Sequence, residues 1–106
     1  MSETENSFHL PPATFEFLML SLRTQIEMHL GLLHFGPAEE KPEPNLPLAR
    51  HGIDLLAMLQ EKTKGNLSIE EQRLLENSLT ELRFRYVQTF EAAQKDKADQ
   101  TESQSS

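Results

Sequence analysis

The side chains with the greatest potential for metal chemistry are a few histidines and carboxylates: Glu27, His29, His34, His51 and Asp54. His51 and Asp54 are three residues apart, so on a helix they would lie one turn apart and could converge on one ion. His29 and His34 are five residues apart, a spacing that splays their rings. Two ligands do not complete a site, and surface histidines are commoner than ligating ones. His51 and Asp54 are therefore only candidate ligands of a metal ion, and we expect no bound cofactor.

Arginines offer a second kind of chemistry. Arg83 and Arg85 carry guanidinium groups that could clamp a phosphate or the carboxylate of a partner. Because Glu71, Glu76 and Glu81 lie close in sequence, surface ion pairs are the favoured interpretation. As an alternative to surface ion pairs, Arg83 and Arg85 are candidate anion-binding residues.

Catalytic patterns are missing from the sequence. No serine stands in a glycine-rich elbow, no glycine-rich loop could cradle a phosphate, and there is no cysteine. A serine hydrolase would also need a histidine base and an orienting acid at the same cleft. The sequence therefore predicts a binding protein rather than an enzyme, with no catalytic residues.

Charge and hydropathy narrow the class of partner. The 106 residues carry a net charge of −7, and lysines and arginines form no block. Such a block is what displaces counterions from nucleic acid phosphates, so we expect no nucleic acid partner. Arg23 and Glu27 interrupt the most apolar stretch, residues 15–35, and residues 1–7 do not resemble a secretory leader. We therefore expect a soluble cytoplasmic protein that does not bind membranes.

A first helix is predicted to begin after Thr14, whose side chain can accept a hydrogen bond from a free amide of the first turn. The apolar residues that follow repeat every three or four positions and are predicted to be the buried row of this helix: Phe15, Leu18, Met19, Leu22, Ile26, Leu30 and Leu33. A second apolar arc lies nearly opposite on the same helix: Phe17, Met28, Leu32 and Phe35. Gly31 and Gly36 both suit the end of this helix, and the pattern does not choose between them.

Asn45 and Pro47 predict a second helix after a proline-rich loop, residues 36–45. Its predicted buried row is Leu48, Gly52, Leu55, Leu56 and Leu59, with Ile53 and Met58 on the flanks. A glycine in this row costs helix propensity and indicates the close approach of a neighbouring helix. Lys62, Lys64 and Gly65 suit the end of the helix.

The spacing of Ser68 and Glu71 is that of a capping box and predicts the start of a third helix. Its apolar row is Leu75, Leu79, Leu82, Tyr86, Phe90 and Ala93, and we expect it to end at about Lys95. The short connection before it predicts that the second and third helices form an antiparallel hairpin. The predicted fold is all-α, a three-helix domain over residues 14–95 with the first helix packed on the hairpin. Residues 1–13 and 96–106 have little to bury, so we expect disordered tails.

Several short segments are distinctive. They are Gly52-Ile53-Asp54-Leu55-Leu56, Glu61-Lys62-Thr63-Lys64-Gly65-Asn66-Leu67 and Leu82-Arg83-Phe84-Arg85-Tyr86-Val87, preceded by Phe15, Ser21-Leu22 and Leu30-Gly31. In these segments the chain resembles the bacterial family called domain of unknown function 1844, over about residues 14–90. The resemblance implies a bacterial source and a short helical protein, and it brings no activity or catalytic residues. The proline-rich loop departs from the family pattern.

Aromatic and aliphatic residues outside the predicted core indicate an interaction surface. Phe84 points away from the apolar row of the third helix, as Phe17, Met28, Leu32 and Phe35 do on the first. A single small core supplies only about 3–5 kcal/mol, and the chain has no disulfide to add to it. We therefore expect a homodimer that acts as a protein-interaction, scaffold or regulatory module with a further protein partner. The alternative left open is a small-ligand or metal-binding helical domain.

Overall fold

The computed structural model describes residues 10–33, 36–37 and 43–105. This part of the chain forms three helices and no strand: α1 (Phe15–His29), α2 (Leu46–Lys62) and α3 (Ile69–Ser105). Each helix packs against the other two, which confirms the predicted all-α, three-helix fold. Of the predicted lead-in, residues 10–13 belong to no helix or strand and are exposed, and residues 1–9 lie outside the described residues.

All three helices begin at the predicted capping residues. The bonds are Phe17 N to Thr14 Oγ1 (3.1 Å), Leu48 N to Asn45 Oδ1 (3.1 Å), Glu71 N to Ser68 Oγ (3.2 Å) and Ser68 N to Glu71 Oε1 (2.8 Å). Each bond satisfies an amide near a helix start that has no partner within its helix. The capping box forms in both directions, as its spacing predicts.

Helix α1 ends at His29, two residues before Gly31, which is one of the two predicted stops. Gly31 has a φ of 79°, a left-handed conformation that glycine adopts without steric cost. Its amide donates to the carbonyl of Met28 at 3.0 Å, and the Leu32 amide donates to Glu27 at 2.9 Å. This pair of bonds is the Schellman motif, which satisfies the last carbonyls of a helix. The chain later returns to the same helix end, where Asn45 N donates to the carbonyl of His29 at 2.7 Å.

The core lies where the three helices meet. Nine apolar side chains are buried there: Met19, Ile26, Leu30, Ala49, Ile53, Leu56, Leu75, Leu79 and Leu82. On α3 the predicted row is buried from Leu75 to Leu82, Tyr86 is half-buried, and Phe90 and Ala93 are exposed. The packed part of α3 therefore ends near Tyr86, and the prediction of a buried row up to Ala93 was too long.

The predicted buried row of α2 needs a correction. Leu48 and Leu55 are exposed, whereas Ala49 and Ile53 are buried. The reason is that α2 lies against both α1 and α3, so its buried side is centred between them. Ala49 and Ile53 lie on that shared side, and the row of Leu48 and Leu55 lies at its α1 edge.

Gly52 is the predicted close-approach position, and the structure confirms it. A Cβ atom added to Gly52 would lie 2.5 Å from Cγ1 and 3.1 Å from Cδ1 of Ile26. Optimal carbon–carbon separation is about 3.5–4.0 Å, so no side chain fits there without displacing Ile26. The missing side chain lets α1 and α2 approach closely at this point.

Two clefts show how α2 and α3 are placed. Gln60, near the end of α2, and Gln72, near the start of α3, line one cleft. Leu46, at the start of α2, and Thr89, far along α3, line another. Opposite ends of the two helices therefore lie side by side, which is what an antiparallel hairpin would give.

Helix α3 extends further than the sequence analysis predicts. It continues to Ser105, ten residues beyond the expected end at about Lys95, through a stretch for which we predicted disorder. Residues 90–98 are all exposed, so packing does not explain this extension. After Gly65 the chain has no glycine or proline and is rich in Glu, Gln, Lys and Ala, which favour helix. At about 1.5 Å per residue, α3 is about 55 Å long, and the longest extent of the chain is 66 Å.

Candidate interaction surfaces

The residues predicted to form an interface are exposed in the single chain. Phe17, Met28 and Leu32 on α1 and just after it, and Phe84 on α3, are each at least 42% exposed. Burial of these side chains within one copy would have removed the case for a partner. Phe35 lies outside the described residues.

On the outer side of α1 the exposed apolar residues are scattered. Phe17 is one turn from Leu20, which is 51% exposed, but Met28 follows only eight residues after Leu20, about 12 Å along a helix. Exposed polar residues, Thr24 and Gln25, lie in the sequence between them. This side of α1 therefore offers separate apolar contacts rather than one continuous row.

A second exposed apolar surface, the α1–α2 seam, consists of Leu48 and Leu55. Gly52 lies against Ile26 of α1, and Leu48 and Leu55 are one helical turn before and after Gly52. These two leucines and Leu18 of α1 are exposed, although sequence analysis placed them in the core. Their helical spacing gave no signal that could separate an exposed position from a core position.

Three exposed apolar residues follow one another along α3. Phe84, Val87 and Phe90 are 60%, 49% and 42% exposed. Their spacing of three residues places them along one side of the helix, and Arg83 and Glu91 lie at the two ends of the row. We call these five residues the α3 face. The ring of Phe90 also stacks on Tyr86, with centroids 6.3 Å apart, which anchors one end of the row to the core.

The ion pairs differ from those expected. Glu81 does not pair with a neighbouring arginine of α3; it accepts from Nη2 of Arg23 on α1 at 2.7 Å. Arg23 also lies 3.7 Å from Glu27, one turn along α1. Within the described part of the chain, Arg83 and Arg85 make no ion pair within 4.0 Å. Their guanidinium groups are exposed and available to a partner.

The metal candidates are not brought into a cluster. His51 and Asp54 are both exposed on α2. Over residues 10–33, 36–37 and 43–105, no three His, Cys, Asp or Glu side chains are placed to hold one ion. His29 is half-buried at the end of α1, and His34 is outside the described residues.

The clefts between the helices are small or shallow. The cleft at the turn from α2 to α3 has a volume of about 250 Å³ and is lined by Lys64, Gln72 and other polar residues. A cleft of about 500 Å³ beside the end of α1 is lined by Met28, His29 and Asn45. Most residues that line these clefts are exposed, so they would not enclose a small molecule as ligand pockets do.

Among the helices that the structure describes, none combines the length and the apolar character that a bilayer span requires.

The fold and its surfaces define a small three-helix protein whose candidate site is an exposed apolar surface rather than a pocket. The chain belongs to the family of the domain of unknown function DUF1844, whose family model matches residues 12–88. This confirms the resemblance found in the sequence. No curated protein and no solved structure matches the chain. The family match covers α1, α2 and the packed part of α3, and it ends within the α3 face.

Proposed function

We propose that this chain is a self-associating helical interaction module. It forms a homodimer in the bacterial cytoplasm and holds a further protein partner through exposed apolar helical surface. In this proposal the protein binds and does not catalyse. Its partner is neither nucleic acid nor membrane, since the net charge is −7 and lysines and arginines form no block.

The observation that carries this proposal is the balance between buried and exposed apolar side chains. Nine hydrophobic residues are buried in the core, whereas at least thirteen large ones are exposed. Single exposed apolar residues are normal on a protein surface. Rows such as Phe84, Val87 and Phe90 are what interaction sites present. A second copy would cover this surface and would add to the burial that a small single core lacks.

The far end of α3 supports the same conclusion, because residues 90–98 are all exposed. Such a projecting helix offers a large surface to a partner without changing the packed core.

The alternative is a domain that binds a small ligand or a metal ion. Ligand pockets commonly have a volume of about 300–1,000 Å³ and bury most of the ligand. The cleft at the turn from α2 to α3 is smaller than this, and the larger clefts are bordered by exposed residues. His51 and Asp54 have no third ligand beside them among the described residues. Interaction through apolar surface is therefore the better supported function.

Light scattering over a concentration series tests self-association. At tens of micromolar and above, we expect a mass approaching twice the 12.1 kDa of one chain, falling on dilution. A constant mass of 12.1 kDa up to several hundred micromolar would contradict the proposal.

Native mass spectrometry of the protein isolated from its source cell separates the two functional classes. A bound protein chain supports the interaction module. A bound small mass or metal ion, lost in a His51→Ala variant, would favour the alternative instead.

A further inference from the structure

We infer that the α3 face is the contact between the two copies, with the two α3 helices antiparallel across a twofold axis at Val87. The inference rests on the proposed self-association and names the surface and register that produce it. The occupant of the face is therefore a second copy of this chain.

The α3 face is a continuous surface that the three-helix core leaves uncovered. Arg83, Phe84, Val87, Phe90 and Glu91 are all exposed. Their relative positions, one, four, seven and eight residues after Arg83, are those of one side of a helix. The buried residues Leu75, Leu79 and Leu82 precede the face along α3 and point about 80–140° away from Val87 around the helix axis. A second helix can therefore lie along the face without disturbing the core.

The order of residues along the face makes it complementary to itself. Val87 is midway between Phe84 and Phe90, and it is also midway between Arg83 and Glu91. Rotation about a twofold axis at Val87 places Phe84 opposite the partner subunit's Phe90. The same rotation places Arg83 opposite the partner subunit's Glu91. Each of these contacts occurs twice, as the symmetry of such an interface requires.

Charge selects the antiparallel arrangement. Parallel helices in register would place Arg83 beside the partner's Arg83 and the two Glu91 side chains beside each other. Like charges at close range destabilise a contact, whereas the antiparallel pair brings only opposite charges together. The outer side of α1 has scattered apolar residues, and the α1–α2 seam is not flanked by charges in this symmetric order. The α3 face is therefore the surface that specifies both its partner and its register.

The size of the contact sets the expected affinity. Stable interfaces commonly bury about 1,200–2,000 Å² in total. Two Phe side chains and one Val on each copy, partly exposed before association, supply less than this. We expect a dissociation constant on the order of micromolar, so that dilution through the micromolar range separates the copies.

Charge reversal tests the register. R83E should raise the dissociation constant about tenfold, because both symmetric ion pairs become repulsive. E91R should have the same effect, and the double variant R83E/E91R should return close to the wild-type constant. R85E is the matched control, since it makes the same change in net charge at an exposed residue outside the face. All constants are measured by sedimentation equilibrium at one ionic strength.

Single cysteines test the position of the axis, and the chain has no cysteine of its own. V87C should form a disulfide-linked dimer under mild oxidation, because the two side chains meet at the axis. Q88C is exposed beside it on another side of α3 and should crosslink far less.

The outcomes separate this inference from the proposed function. Loss of association in R83E, its recovery in the double variant, and selective crosslinking of V87C support the α3 contact. A wild-type dimer with equal constants for R83E and R85E, or with equal crosslinking of V87C and Q88C, overturns it and leaves self-association standing. A wild-type chain that stays monomeric refutes both.

Discussion

The contact between Gly52 and Ile26 allows the effect of one added methyl group to be worked out. In Gly52→Ala the new Cβ would lie 2.5 Å from Cγ1 of Ile26, about 1 Å inside the optimal carbon–carbon separation. Ile26 is 1% exposed, so its side chain has no free space to enter. Overpacking of this kind costs about 1–3 kcal/mol. Alanine also recovers about 1 kcal/mol of helix propensity. We expect a net loss of about 1 kcal/mol in the free energy of unfolding.

Urea unfolding followed by circular dichroism at 222 nm measures this change, at one fixed protein concentration because association also affects stability. A loss of 1 kcal/mol lowers the midpoint of thermal unfolding by about 4–8 °C in a domain of this size.

The matched control makes the same Gly52→Ala substitution in a variant that has a smaller side chain at Ile26. Ile26→Ala lacks the Cγ1 and Cδ1 atoms that the added methyl meets, and the Ile26 Cβ is 3.8 Å away, an ordinary contact distance. Against this background, Gly52→Ala should stabilise the protein by up to about 1 kcal/mol through helix propensity. Since Ile26→Ala itself costs about 2–5 kcal/mol, both backgrounds are compared in a stabilising osmolyte. If Gly52→Ala is stabilising in the native background too, the close approach of α1 and α2 is not the reason for the glycine.

Three further predictions concern the stability of the same three-helix fold. Ser68→Ala removes the side-chain acceptor of the α3 capping box and should lower the free energy of unfolding in urea by about 1 kcal/mol. The control Glu70→Ala should lower it by less, and equal losses would contradict the role of the cap. Arg23 and Glu81, at 22% and 44% side-chain exposure, should show a coupling of about 0.2–1 kcal/mol in a double-mutant cycle to glutamine. That coupling should fall in 1 M NaCl, and a coupling that salt leaves unchanged would rule out a screened ion pair. Ser78 is fully buried with no hydrogen-bond partner for its Oγ, so Ser78→Ala should stabilise by about 0.5–1.5 kcal/mol; a loss of stability would mean that the hydroxyl is satisfied after all.

The helix caps could be predicted from the sequence, whereas the way in which each helix is covered by its neighbours could not. Thr14, Asn45 and Ser68 were identified as caps because capping depends on residues three positions apart. Gly52 was identified because a glycine costs a helix stability unless a neighbour comes close. Leu48 and Leu55 were placed in the core wrongly. Periodicity shows which residues share a side of a helix, and it does not show how that side is divided between two neighbouring helices.

The candidate surface was predicted in part. Phe84 was identified because it lies opposite the apolar row of its own helix, and it is the most exposed of the three apolar residues of the α3 face. Phe90 was assigned to the core because it continues the spacing from Leu82 and Tyr86. In the structure Phe90 is 42% exposed, and which residues of a helix its neighbours cover is a long-range property. The pairing of Glu81 with Arg23 was missed for the same reason.

The bond between the amide of Asn45 and the carbonyl of His29 has a consequence for how this protein can vary in length. It joins the end of α1 directly to the start of α2, so the positions of these helices should depend little on the number of residues between Leu33 and Glu43, which follow the Schellman motif at Gly31. Doubling the length of a flexible loop costs only about 0.6 kcal/mol of loop-closure entropy. A reporter peptide or a recognition sequence inserted there should leave the three-helix body intact, which makes this connection the natural place to add a new binding specificity.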